Sequence, residues 1–289
     1  MAASICYLLF AIERASGELG CSDERPSPLV RRALAPLARA ATYDPGDLAL
    51  AAESSTRHLS CLETGRALPS RDMIGRLAEN LNIPLRDRNT LLLAAGFAPA
   101  FRERSVTELE AAKNAIDRVL QAHLPYPAFA VDRHWNLILS NSALPQLYEG
   151  CSPELLRPPV NSVRLVLHPA GMGPRIANFA AWRAHTLHIL RQQLEARAEP
   201  VIQGLLSEVA GYPVPAGSEA TDGLDSSHRL ATPLRISTRF GTVSFLTTVT
   251  VFGTASDVTL SELALEMLFP ADSETIEIVN KMTAEPNSP

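Results

Sequence analysis

The sequence has few cysteines, few aromatic residues and no long hydrophobic run. Of the 289 residues 4 are Cys, and none of them forms a C-x-x-C pair, so neither a disulfide framework nor a cysteine-based metal site is expected. No apolar stretch approaches the roughly 18 residues of a membrane-spanning helix, and we expect no membrane partner. The apolar stretch 4–12 has no Lys or Arg before it, which favours a buried or poorly ordered N-terminal helix over a secretory signal.

Motifs of the common enzyme classes are also missing from the sequence. There is no G-x-S-x-G, no glycine-rich phosphate loop, and no Ser, His and Asp set that spacing would single out. His168, His185 and His188 have no Cys or carboxylate at ligand spacing and form no H-E-x-x-H motif. We therefore predict that the chain is not an enzyme and holds no metal or cofactor.

Charge is distributed unevenly along the chain. The net charge is -5, but residues 25–104 contain 12 Arg and 8 acidic residues, whereas residues 105–289 contain 13 basic and 19 acidic residues. A basic segment within an acidic chain is typical of a nucleic-acid-binding module joined to another domain.

The basic segment has the pattern of five short helices. The first, over 29–41, contains Pro36, which should kink it. Asp44 and Pro45 have the pattern of an N-cap and a first helical residue for the second helix, over 47–52. The starts of the remaining helices are marked by Ser54 or Ser55, by Ser70 and by Pro84.

The third of these helices follows a tight turn and opens with small polar residues, as in a helix-turn-helix. The start of such a helix enters the major groove, where Arg recognises guanine and Ser or Thr meets bases or phosphates. The alternative is that Ser55 is a helix cap and that Arg57 pairs with an acid such as Glu53. We predict base contacts from Ser55, Thr56, Arg57, His58 and Ser60, and phosphate contacts from Arg66 and Arg71.

Beyond residue 104 the pattern changes to that of an α+β domain. An amphipathic helix over 105–123 is expected to link the domains and to pair two subunits. The elements predicted after it are strands at 129–132 and 135–139, a long helix at 174–197, a hairpin at 234–239 and 243–252, and a short helix at 261–267.

The long helix carries the candidate ligand-binding residues. Arg175, Asn178, Trp182 and His185 recur at three- or four-residue steps and would share one face of the helix. Arg could bind a carboxylate head group while Trp forms an apolar wall. The alternative is a surface helix with Trp182 half-buried. His168 is a further candidate for contact with the ligand.

Long segments of the chain resemble one known family. Residues 55–101 resemble the helix-turn-helix of MmyB-like regulators in the XRE superfamily. The segments PYPAFAVDRHWNLILSNSAL, VLHPAGMGPRIANF and TTVTVFGTASDVTLSELALEMLFPADSET resemble that family's PAS-like ligand-binding domain. The resemblance implies a multidomain chain. Its parts are a poorly defined segment at 1–25, an α-helical helix-turn-helix (lambda-repressor-like) domain at 26–104, a linker helix at 105–124, an α+β PAS-like domain with an antiparallel sheet at 125–280, and a disordered tail at 281–289.

The same resemblance implies a function. Members are bacterial, cytoplasmic, homodimeric transcription regulators that bind double-stranded operator DNA and sense a small apolar ligand such as a fatty acid. The chain departs from the family pattern at Pro45-Gly46, where members usually have Ser-Gln, so the Gln amide that would contact a phosphate is missing. The alternative function is therefore a ligand-binding or protein-interaction module with a degenerate DNA-binding head.

Overall fold

A computed structural model of the protein describes residues 45–63, 66–81, 83–104, 110–196, 199–215, 232–252 and 257–284. The predicted segment 1–25, the predicted helix at 29–41, residues 105–109 of the predicted linker helix and residues 285–289 of the predicted tail lie outside the described residues, as do residues 216–231 before the hairpin. The chain divides into two compact units. One comprises the described residues of Met1–Arg104, Arg191–Pro200 and Ala255–Ser261, and the other those of Ser105–Leu190, Val201–Thr254 and Glu262–Pro289.

Four short helices make up most of the described part of the first unit, and each matches a predicted one. Two of their starts are capped as the sequence predicts: the Ser55 Oγ accepts from the His58 N–H at 3.1 Å, and the Ser70 Oγ accepts from the Met73 N–H at 3.2 Å. The helices are α1 (Pro45–Ala51), α2 (Thr56–Glu63), α3 (Arg71–Asn80) and α4 (Leu85–Ala94).

A single apolar core holds these four helices together. Leu48, Leu62, Ile74 and Leu92, one from each helix, are buried in it. Side chains of α3 also reach the C-terminal end of α1: the Arg76 Nε donates to the Ala52 carbonyl at 2.9 Å and the Asn80 Nδ2 donates to the Ala51 carbonyl at 3.0 Å. These bonds satisfy carbonyls that a helix end leaves without intrahelical partners.

The second unit contains a five-stranded antiparallel sheet, which confirms the predicted α+β class. The strand order is β2-β1-β5-β4-β3. The predicted hairpin is present, and Gly241 at its turn has φ +130°, a conformation that L side chains rarely adopt. The strands are β1 (Ala128–Val131), β2 (Leu137–Ser140), β3 (Leu234–Thr238), β4 (Gly241–Val251) and β5 (Ala264–Pro270).

The prediction of a helix over 261–267 is wrong, because most of this segment belongs to β5. Of the predicted helix only Ser261 is helical, as the last residue of α9 (Val258–Ser261). α9 belongs to the first unit. β5 lies between β1 and β4 and pairs with both. Leu, Ala, Glu and Met favour a helix locally, but two neighbouring strands offer hydrogen bonds to both edges of this segment, and tertiary pairing overrides the local preference.

Helices and 3₁₀ turns complete the second unit. α5 (Glu110–Ala122), predicted as a linker, packs on β1 and β2 through the fully buried Ile116 and Leu120, whereas Val119 is exposed. The longest helix begins later than predicted. The other helices are α6 (Ser162–Leu167), α7 (Phe179–Ala196), α8 (Pro200–Ala210) and α10 (Ser273–Ala284), and residues 191–196 of α7 belong to the first unit. Of these helices α6, α8 and α10 were not predicted, and the last turn of α10 includes residues 281–284 of the predicted tail.

Candidate ligand and nucleic-acid sites

The residues predicted to contact bases lie at the start of α2, with polar side chains on one side and apolar ones on the other. Thr56, Arg57 and Ser60 are exposed. Leu59 and Leu62 are buried in the helical core. Ser55 is exposed and its hydroxyl caps the helix, while His58 is partly buried. The cap does not exclude a contact with DNA, because a hydroxyl oxygen has two lone pairs and a proton to donate.

The three arginines predicted to contact DNA are all exposed. Arg57 and Arg71 lie in the first turns of α2 and α3, and Arg66 lies between the two helices. Glu53, considered as a partner of Arg57, is instead 3.8 Å from the Arg76 guanidinium. Within the described residues no ion pair involves Arg57.

The predicted ligand-binding residues do not share one helix face. Arg175 ends a 3₁₀ turn, Gly173–Arg175, and α7 begins only at Phe179. The intervening segment runs beside β3, where the Ala177 N–H donates to the Arg235 carbonyl at 2.9 Å. The prediction of a continuous helix from Pro174 is therefore wrong, since pairing with a strand takes the place of the helical turn.

Each predicted ligand residue has its own surroundings. The Arg175 Nη2 donates to the Leu147 carbonyl at 2.6 Å and lies 3.6 Å from the Cys151 Sγ. Asn178 is buried, where it donates to the Pro233 carbonyl at 2.7 Å and accepts from the Arg235 N–H at 3.1 Å. The other three form two ring pairs: His168 with Tyr212 at 4.9 Å between centroids, and Trp182 with His185 at 5.4 Å.

One face of the sheet carries a partly buried acid, Glu266, that was not among the predicted site residues. Glu266, in the middle of β5, stands opposite Phe129 of β1 and Val249 of β4. Residues directly opposite in an antiparallel pair point to the same side, and alternate residues along a strand share a face. Glu266, Phe129, Val249, Leu268 and Thr247 therefore lie on one side, which we call the Glu266 face.

The Glu266 face is apolar around the carboxyl. Phe129 and Leu268 are buried, and further along β4 Phe245 is completely buried on the same side. Burial raises the pKa of the Glu266 carboxyl to about 7, and within the described residues no hydrogen bond or ion pair is made by this carboxyl. Such a carboxyl is partly protonated at neutral pH and can both donate and accept a hydrogen bond.

A 3₁₀ turn, Leu144–Tyr148, brings further polar groups near this face. Burial raises the pKa of the Tyr148 hydroxyl, and the charges of Cys151 and Glu266 act in the same direction, which places all three within electrostatic range. Burial also raises the pKa of the Cys151 thiol, although Arg175 beside it acts in the opposite direction. The sequence pattern gave no reason to join these residues, since Glu266 lies in a strand that was predicted to be a helix.

Some other kinds of site are not found in the described part of the chain. None of its helices combines the length and apolar character needed to cross a bilayer. No group of three or more His, Cys, Asp or Glu side chains that could hold a metal ion occurs among the same residues.

Part of the chain matches a known protein family. The family described as the MmyB-like transcription regulator ligand binding domain matches residues 112–281, which is more than half of the 289 residues and includes all five strands. No curated protein matches the chain. The protein therefore belongs to the family of MmyB-like transcription regulators, by virtue of its ligand-binding domain.

Proposed function

We propose that the protein is a sequence-specific, double-stranded DNA-binding transcription regulator whose PAS-like domain senses a small apolar ligand. The observation that carries the proposal is the family match over the ligand-binding domain, together with the helices α1 and α2 in the basic segment before it. Four residues, 52–55, separate these helices, which is the spacing of a helix-turn-helix. The regulator acts in the cytoplasm as a homodimer on an operator.

In this proposal α2 is the recognition helix of a lambda-repressor-like domain. Its exposed start is polar, while Leu59 and Leu62 fix the opposite side in the core. Arg57 reads guanine through two parallel N–H donors, and Thr56 and Ser60 contact bases or phosphates. Arg66 and Arg71 contact phosphates and so contribute affinity without sequence preference.

Exchanging Arg57 and Arg71 in turn for Ala separates these two roles. Arg57→Ala lowers affinity for the preferred sequence by about 10- to 100-fold, because a bidentate base contact contributes roughly 1–3 kcal/mol of discrimination. Arg71→Ala weakens binding to all sequences alike and reduces the salt slope of the affinity by about 1. Fluorescence anisotropy with preferred and scrambled DNA at several salt concentrations measures both quantities.

Arg118→Ala is the matched control, since Arg118 is an exposed arginine of α5 outside the helical unit. It leaves both affinities unchanged. If Arg57→Ala behaves like Arg118→Ala, α2 is not the recognition helix. The chain would then fit the alternative of a ligand-binding or protein-interaction module with a degenerate DNA-binding head, which the Pro45-Gly46 pair favours.

The ligand in this proposal is held by the α+β domain. A fatty-acid-like molecule would place its chain against apolar side chains and its head group on a few polar ones. Of the residues predicted to contact it, Arg175 is linked to the Glu266 face through Cys151, because both Cys151 and Glu266 interact electrostatically with Tyr148. Ligand contacts by His168, Asn178, Trp182 and His185 stay a prediction.

A further inference from the structure

The chemistry of the Glu266 face bears on which apolar ligand the domain binds. Glu266 is deep in the domain, yet part of its side-chain surface remains accessible. Val249, directly opposite it on β4, is 60% exposed. The Glu266 side chain is therefore surrounded mainly by protein and is still partly accessible, next to an exposed side chain of β4.

A second polar group without a partner lies beside it on the same face. Thr247 stands opposite Leu268 and is therefore one step diagonally from Glu266. Its hydroxyl oxygen is buried and has no hydrogen-bond partner among the residues that the structure describes. A buried hydroxyl without a partner costs free energy, and a rotation about the Cα–Cβ bond would exchange its position with that of the methyl group.

In the part of the chain that the structure describes, no cation on the Glu266 face is seen to pair with its carboxyl. Within the described residues no Arg or Lys pairs with Glu266, and burial is the one cause of its raised pKa. Arg175, the cation predicted to contact the ligand, donates to the Leu147 carbonyl and the Cys151 Sγ. A ligand carboxylate next to Glu266 would place two acids together in an apolar site, which disfavours ionisation of both. A ligand ammonium would require an ion pair in the same apolar site, where the cost of desolvating both charges can exceed their attraction.

We propose that Glu266, with Thr247 as its second partner, binds the head group of the apolar ligand, and that this head group is an uncharged donor and acceptor such as a primary amide or an alcohol. Rotation of Thr247 on binding gives its hydroxyl a partner. The apolar chain lies along Phe129 and Leu268. The inference rests on the proposed ligand-sensing function and replaces the fatty-acid carboxylate with a neutral group.

A panel of ten-carbon probes that differ only in the head group tests the assignment. The full-length protein is titrated with decanamide, decanol, decanoate and decylamine at pH 7, and the fluorescence of its two tryptophans reports binding. Decanamide and decanol bind at least about tenfold more tightly than decanoate and decylamine, a difference equivalent to one hydrogen bond to a buried group.

Variants show whether the two residues set this preference. Glu266→Leu and Thr247→Val each lower the affinity for decanamide by about tenfold or more, whereas Glu266→Gln, which still donates and accepts, stays within about threefold of wild type. Thr248→Val is the matched control, since Thr248 is the exposed neighbour of Thr247 and points to the opposite face. It binds the probes as wild type does.

Three results would overturn the inference: tightest binding of decanoate or decylamine, no binding of any probe, or an unchanged preference in Glu266→Leu and Thr247→Val. In the last case water or packing satisfies the two groups. DNA binding by the same preparations separates this failure from failure of the proposed function, because sequence preference measured without any probe does not depend on the head group.

Discussion

Replacing Glu266 with Gln stabilises the ligand-binding domain at pH 8 by about 3 kcal/mol and leaves its stability at pH 4 nearly unchanged. The folded-state pKa of Glu266, about 7, lies above its ordinary value of 4.5, so the folded protein binds the proton more tightly than the unfolded chain does. The stability that this proton contributes is fully present below pH 4.5 and is lost as the pH rises to about 7. Gln keeps the neutral shape and does not ionise.

Urea unfolding followed by tryptophan fluorescence measures this difference. The chain's two tryptophans are Trp135 and Trp182, and both lie in the second unit, so their signal reports the unfolding of the ligand-binding domain. Glu149→Gln, at an exposed acid of the same domain, is the control and shifts the stability by less than about 0.5 kcal/mol. A stabilisation by Glu266→Gln that is equal at pH 4 and pH 8 would show that Glu266 does not titrate in this range.

Replacing Asn141 with Ala destabilises the same domain by roughly 3–5 kcal/mol. Asn141 is buried between α5 and β1, and its side chain makes three hydrogen bonds to the backbone. The Oδ1 accepts from the Ala128 N–H at 3.2 Å, and the Nδ2 donates to the carbonyls of Leu120 at 3.0 Å and Tyr126 at 2.8 Å. Ala leaves these groups without the side-chain partner in a place that water does not reach.

The neighbouring residue provides the control for this change. Ser142 is exposed, and Ser142→Ala is expected to alter the free energy of unfolding by less than about 0.5 kcal/mol. Both variants are followed by urea unfolding with the tryptophan signal. Equal stabilities of Asn141→Ala and Ser142→Ala would mean that Asn141 does not join α5 to the sheet.

The helical unit could be predicted from the sequence because its signals are local. Ser55 and Ser70 cap the helices that follow them, and Pro84 precedes the last one, as expected. The hairpin was equally clear, since the β-branched run of β4 follows Gly241 at a turn. A cap or a turn depends on neighbours within a few residues, and these are visible in the sequence.

The candidate ligand site depends on contacts between distant parts of the chain and was largely missed. β5 is composed of residues that also favour helices, and only its pairing with β1 and β4 makes it a strand. Because this segment was predicted to be a helix, Glu266 was not among the predicted site residues. Arg175 was placed on a helix face because the bridge between Ile176 and Ile236 could not be foreseen from spacing. A lone Glu between Leu265 and Met267 was the one available signal.

The proposed regulator recognises a particular DNA sequence. Fluorescence anisotropy of the full-length protein, with DNA from immediately upstream of its own gene and with scrambled DNA of equal composition, tests it most directly. We predict a preference for the native sequence of about 100-fold or more at moderate salt, within the range of specific regulators. Equal binding of the two DNAs, or binding of neither, would contradict the account.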